Sequence, residues 1–306
     1  MVIYYHVGST NLEIISLTSI DPDMQILLFV GIFISMSIKT PTLPWTTWLV
    51  NAHTYSNVGG SIVLAGLILK LATYGFLRIM LPILPNACVY FAPVIQTIAV
   101  ITLVYASLST TRQTDFKKVV AYSSVGHMAV TLLGIFSNTI QGIEGAIIMS
   151  VAHGVVSPAL FFLVGSCLYD RFHTRVIKYY RGMTNYMPVF SLFFFLFTIF
   201  NAAVPLSANW TGEFMMLAGI FKLSPIIGAL GSLGIVLSAA YSIWMFNRIA
   251  FGGYSLYLNY TNDLTRREVF LLIPLLVVAV VIGILPNIML ENIHLSVSTL
   301  IYPEGL

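Results

Sequence analysis

Residues 59–78 read GGSIVLAGLILKLATYGFLR, apolar almost throughout, with a single lysine, Lys70, near the centre. A helix of about 20 apolar residues crosses a hydrocarbon core, where every backbone polar group must be satisfied within its own segment. Outward from this stretch the pattern recurs at 24–40, 90–109, 117–137, 143–168, 188–222, 224–250 and 267–290, which with 59–80 predicts eight spans and an all-α, polytopic transmembrane bundle. Composition agrees: of 306 residues 58% are apolar and only 8% are charged, too few to cover a soluble surface. A net charge of +3, with no basic run longer than Lys117-Lys118 or Arg266-Arg267, excludes a nucleic-acid partner and leaves the lipid bilayer. Cys88 and Cys167 stand apart with no CxxC, so neither a disulfide framework nor a cysteine metal site is expected.

Two of the spans are irregular. The first runs into Pro41 and Pro44, and the sixth is overlong and interrupted around Pro205, Asn209 and Gly212. Proline cannot donate to the helix ladder, so both should be discontinuous, and backbone opened at membrane depth is tolerated only beside protein or a cavity. Paired broken helices are the best sequence pointer to a transport site.

Orientation follows from the basic residues of alternate loops. Arg112, Lys117, Lys118, Arg171, Arg175, Lys178, Arg181, Arg248, Arg266 and Arg267 fall on one side. The other carries Arg78 and Lys222, with acids near both termini (Glu13, Asp21, Asp23, Glu291, Glu304). Basic loops stay on the side of synthesis, so both termini are expected on the opposite side. Residues 1–23 contain no Lys or Arg and do not read as a signal or transit peptide.

The remaining two cations lie inside spans. Lys70 has about ten residues on either side, too deep to snorkel easily, so it must face protein or water. The plain alternative is a structural ion pair. Lys39, in SIKTPTLP, sits where the first helix breaks, with snorkelling as its alternative. Glu213 lies just past the second interruption and could equally cap the second half-helix. His127 and His153 fall near the centres of successive spans among small neighbours (Gly126, Ala129; Ala152, Gly154) that permit close helix approach. A lone histidine on an apolar face is more often a core residue, but two at matching depth beside Lys70 point to a relay. Glu144, nine residues before His153, reads as an interface cap or as an access-path acid. No Walker loop, GxGxxG, HExxH or haem motif appears, so the chain itself should neither hydrolyse nucleotide nor carry electrons. Lys, Lys, His, His and Glu along the midplane describe a proton path. A second charge about 8 Å away, at an effective dielectric near 20, changes a buried charge's energy by about 2 kcal/mol, enough to pass a proton onward.

The segments KTPTLPWTTWLVNAH (39–53), TDFKKVVAYSSVGHM (114–128), IQGIEGAIIMSVAHG (140–154), LYDRFHTR (168–175) and VPLSANWTGEFM (204–215), with GGSIVLAGLILKLATYGFLR, carry a family likeness. From about residue 8 onward the chain resembles the subunit 4 family, one of the antiporter-like families of membrane subunits of mitochondrial NADH:ubiquinone oxidoreductase, respiratory complex I; its motif variants are most like fungal ones. The resemblance implies an antiporter-like fold in the mitochondrial inner membrane, termini toward the intermembrane space, with proton translocation coupled to electron transfer elsewhere in the assembly. It matches Lys39 to the lysine of the broken helix, Lys70 to the central lysine of the next helix, His127 and His153 to connecting histidines and Glu213 to the acid at the second broken helix. It implies neighbouring antiporter-like subunits and other membrane-arm subunits as partners. No cofactor or metal is expected in this chain, with NADH, FMN, iron-sulfur clusters and ubiquinone held by the wider complex.

There are departures. Val50 and Asn51 replace a proline and an acid common in the family, and Thr46 a histidine. Members have about fourteen spans in two inverted repeats. The expected organisation here is an interfacial segment at 1–23, the last two helices of the first repeat at 24–85, the second repeat at 86–250, and a loop, terminal helix and tail at 251–306. The chain then reads as a fragment, or as a subunit whose N-terminal helices come from a separate polypeptide. Either way Lys39 needs a partner from outside it, since a lone buried ammonium is costly. Two other readings stay open at this point: a subunit of a multi-subunit sodium/proton antiporter, and a structural remnant that does not pump.

Overall fold

Proline and short polar side chains set the helix ends. A computed structural model of the chain describes residues 2–255, 257–258 and 261–301; Glu304 of the orientation count lies outside them. Proline opens four of the long helices, at a position whose N–H has no helical acceptor anyway: Pro22, Pro85, Pro188 and Pro225. Side-chain caps open others. Asp115 accepts from Lys117 N at 2.8 Å, Thr139 from Gly142 N at 3.1 Å, Ser207 from Trp210 N at 3.3 Å, and Thr265 forms a capping box with Glu268.

In chain order the helices are α1 (Val2–Val7), α2 (Leu12–Leu17), α3 (Pro22–Lys39), α4 (Thr47–Tyr55), α5 (Val58–Ile83), α6 (Pro85–Thr111), α7 (Phe116–Ile135), α8 (Ile140–Phe172), α9 (Pro188–Asn201), α10 (Ala208–Leu223), α11 (Pro225–Ala250), α12 (Arg266–Ile284) and α13 (Asn287–Ile301). Seven of these are long and apolar enough to cross a membrane, and the split pair α9/α10 makes an eighth crossing. The chain is a multi-pass membrane protein, all-α among the described residues. α7 and α8 are the inner helices, their residues mostly buried, while α3 and α12 face outward.

Both expected breaks are present. α3 stops at Lys39, a turn through the prolines follows, and α4 completes the crossing. The second break falls at Ala202–Ser207, where Ala203 (φ +54°) and Leu206 (φ +74°) adopt the left-handed region that costs a side-chain-bearing residue energy. Asn209 and Gly212 were expected in this interruption but lie inside α10. Gly212 is there for contact: a Cβ would sit 2.8 Å from the Met149 backbone nitrogen, and one on Gly145 would sit 2.7 Å from that of Met216. The α8/α10 crossing is therefore backbone on backbone.

Other boundaries differ from the sequence reading. The expected span 267–290 ends at Ile284, because Pro286 stops it, and α13 follows as a separate helix against α8. α1 and α2 were not expected. α5 contains wide π turns at Leu64–Ile68 and Phe76–Met80, and α8 one at Leu163–Tyr169, a departure from the 3.6-residue repeat that apolar periodicity does not reveal.

The basic loops gather at one end. Phe116 N donates to Arg175 O and Ile177 N to Thr114 O, Gly182 N donates to Phe251 O, and Arg171 holds Glu268 bidentately at 3.0 and 2.8 Å. Tyr180 donates to Thr174 O at 2.8 Å, and burial pushes its phenol up, keeping it a donor.

Candidate functional site

The π turn in α5 sets the position of Lys70 just beyond it. The Lys70 ammonium donates to the Ala65 carbonyl, five residues back and inside that turn. It also stands 2.7 Å from His153 Nδ1 on α8. With Lys70 in its ammonium form, which has only donors, His153 accepts at Nδ1 and carries its own proton on Nε2. Gly154, next to His153, lets α8 lie close to α5, since a Cβ there would come 3.3 Å from the Gly66 carbonyl.

His153 is fully buried, and its ring centroid lies 5.5 Å from that of His127 on α7. His127 Nδ1 is 2.9 Å from Glu213 Oε1 on α10, and both side chains are buried. His127 Nε2, His153 Nε2 and Glu213 Oε2 have no hydrogen-bond partner among the described residues. Buried polar atoms are normally paired by protein or ordered water, so these unpartnered ring nitrogens stand out as positions that can take or release a proton. Beside the His127–Glu213 pair a cavity of about 10 Å³, room for roughly one water, is lined by Ser107, His127, Glu213, Ser238 and Tyr241. Asn209, one helical turn before Glu213, is buried with both amide atoms unpartnered among the described residues.

Four of the six residues singled out in the sequence thus come together as Lys70–His153 and His127–Glu213, joined by the facing imidazoles. Two do not join them. Lys39 ends α3 exposed, with no ion pair or hydrogen bond among the described residues. Glu144 lies about two and a half turns from His153 on α8, and its carboxylate meets His294 Nδ1 of α13 at 2.6 Å.

Two buried groups escaped the sequence reading. His53, on α4, is fully buried, stacked on Phe161 at 4.3 Å, with neither ring nitrogen partnered among the described residues. Lys117, counted above as a loop cation, is only 1% exposed, and its ammonium donates to Ser56 O at 3.3 Å past the end of α4. Arg175 donates to Thr54 O, and its guanidinium lies 4.6 Å from the centroid of the Tyr169 ring. Cations on the last carbonyls of a half-helix complement its dipole. The sequence carried no signal for this contact, because Lys117 and Arg175 lie far along the chain from the end of α4 and only the fold brings them there.

Residues 1–238 match the family model described as NADH:quinone oxidoreductase/Mrp antiporter, TM. The chain is 67% identical over 302 residues to NADH-ubiquinone oxidoreductase chain 4 of Mycosarcoma maydis, covering 99% of this chain and 62% of that protein. It spans about the same share of other curated relatives, such as 60% of the Marchantia polymorpha protein of that name, at 45% identity. Among solved structures, a chain of respiratory complex I from Thermus thermophilus superposes with a TM-score of 0.91 at 25% identity, over 99% of this chain and 65% of that one. The resemblance read from the motifs points to these same relatives.

Proposed function

The chain belongs to the NADH:quinone oxidoreductase/Mrp antiporter membrane family, and from that premise we propose that it is a membrane-arm subunit of a proton-pumping NADH:ubiquinone oxidoreductase. In this reading it passes protons along Lys70, His153, His127 and Glu213 while other subunits carry electrons from NADH to quinone. The name shared by its relatives supports the assembly. The observation that carries the role is the line itself, half-buried at Lys70 and buried beyond it: 2.7 Å from Lys70 to His153, 5.5 Å between the histidine rings, 2.9 Å from His127 to Glu213.

Each imidazole can take a proton at one nitrogen and release one from the other, so the line conducts without either ring leaving its helix. Lys70 gives a proton to His153 Nδ1, and the proton already on Nε2 leaves toward His127. A proton arriving at His127 Nε2 releases the one at Nδ1 to the Glu213 carboxylate. The gap between the rings is closed by a bridging water or a swing of either ring. Each transfer moves one unit of charge between groups held in a low-dielectric interior, so a charge change near Lys70 is felt at the next member. NADH, FMN, iron-sulfur clusters and ubiquinone belong to partner subunits, the site is the mitochondrial inner membrane, and both termini face the intermembrane space.

The test is Lys70→Ala, measured in the assembled complex as protons moved per electron. The variant should assemble and lose its share of translocation. Unchanged pumping with normal assembly would instead make the chain a scaffold and end this reading.

A further inference from the structure

Among the described residues, seven of the ten cations at the basic end divide into two sets, with Lys118, Arg266 and Arg267 outside both. Lys117, Arg171 and Arg175 are engaged, by Ser56 O, Glu268 and Thr54 O respectively. Three of the acids at that end are engaged as well: Asp115 caps α7, Asp263 accepts from Val189 N and Phe190 N, and Glu268 holds Arg171. Arg112, Lys178, Arg181 and Arg248 form no ion pair or side-chain hydrogen bond among the described residues, and all four are exposed. They do not scatter. They line two adjoining crevices, of about 410 and 300 Å³, that share Ile177, Lys178 and Arg248. Arg181, Phe251 and Gly252 close the first, and Arg112 and Trp244 the second.

The crevices sit where α6 and α11 leave the membrane, since α6 ends at Thr111 and α11 at Ala250. Below them α11 presents an apolar stripe at helical spacing: Leu233, Val236, Ile243 and Trp244 are exposed by 47, 66, 54 and 36%. Directly above Trp244 on the same face come Asn247 and Arg248, both in the crevice wall. The surface is therefore cationic at the interface and apolar beneath it, with an aromatic residue at the junction, which is the profile of a lipid headgroup over its chains.

We propose that Arg112, Lys178, Arg181 and Arg248 form a binding site for the phosphate headgroup of an anionic phospholipid, whose acyl chain lies along the Leu233–Val236–Ile243 stripe of α11. The cations supply charge and hydrogen-bond donors to phosphate oxygens, and Trp244 marks the depth of the ester region. This site stands apart from the Lys70–Glu213 line and does not depend on that line conducting protons.

The experiment uses the protein as purified in detergent with the chains that accompany it from its membrane, stripped of lipid and titrated with phosphatidylglycerol or phosphatidylcholine. Bound lipid is counted by native mass spectrometry. Phosphatidylglycerol should be retained over phosphatidylcholine and resist displacement by inorganic phosphate. Lys178→Gln with Arg248→Gln should weaken its retention about thirtyfold, the effect of losing two interfacial cations. Lys178→Arg with Arg248→Lys should keep it, as should Arg266→Gln with Arg267→Gln, which removes as much charge from the same end outside the crevices. If the double glutamine variant does not accumulate, Arg112→Gln and Arg181→Gln, on separate loops, should each weaken retention about fivefold. Equal retention of the two lipids, displacement by inorganic phosphate, or glutamine variants that hold phosphatidylglycerol as tightly as the parent would each overturn the proposal.

Discussion

At the scale of single residues, Asn209 is the sharpest test of whether the buried line is wet. Its amide is wholly buried and unpartnered among the described residues, one turn from Glu213 on the same face of α10. Replacing an unsatisfied buried amide by an apolar group of similar shape costs little stability and can raise it. Asn209→Leu should therefore leave the unfolding midpoint in detergent unchanged or higher, within about 1 kcal/mol. If the amide orders water beside Glu213, the same change should slow proton translocation severalfold. A variant that is less stable and pumps normally would give Asn209 a purely structural role. Lys70, His127, His153 and Glu213 were legible in the sequence because a charge or imidazole inside an apolar run is costly and stands out against it. His53 was not, because α4 has only nine residues, too short to read as a span. Lys117 was hidden by its neighbour Lys118, since a basic pair at a helix start reads as a solvated loop end, and only the fold brings Ser56 O to its ammonium.

At the scale of elements, the line exists because α8 and α10 touch through their backbones, carrying His153 and Glu213 to either side of His127 on α7. Gly212 and Gly145 permit this approach, and Gly219 extends it, with a Cβ there falling 2.6 Å from Gly142 N. Backbone cannot yield as a flexible side chain can, so Gly212→Val should cost about 1–3 kcal/mol through overpacking. The comparison is Gly31→Val on α3, where nothing lies within 4 Å of a Cβ. In thermal unfolding of detergent-purified protein the first variant should melt well below the second. Equal midpoints would show that the crossing is looser than backbone contact. Sequence pattern gave the presence of both broken helices but misplaced the second break, because it treated every glycine and asparagine near Pro205 as an interruption. The break is made instead by Ala203 and Leu206 in left-handed backbone, a conformation neither residue type advertises, and Ser207 restarts the helix as its cap.

At the scale of the whole molecule, the loops joined by Phe116–Arg175, Gly182–Phe251 and Arg171–Glu268 lie together at one end. They hold ten basic residues against Arg78 and Lys222 on the other side of the alternation. Eight crossings place Lys222, near the end of α10, and Arg267, in the first turn of α12, on opposite sides of the bilayer, because α11 lies between them. Both are exposed, and the native Cys88 and Cys167 are buried, so an introduced cysteine should dominate labelling. In sealed inner-membrane vesicles with the intermembrane-space face outward, a membrane-impermeant maleimide should modify Lys222→Cys in the intact vesicle. It should reach Arg267→Cys only after permeabilisation, as the proposed orientation requires. Labelling of both from the same side would break the count of crossings, and the reverse pattern would invert the molecule.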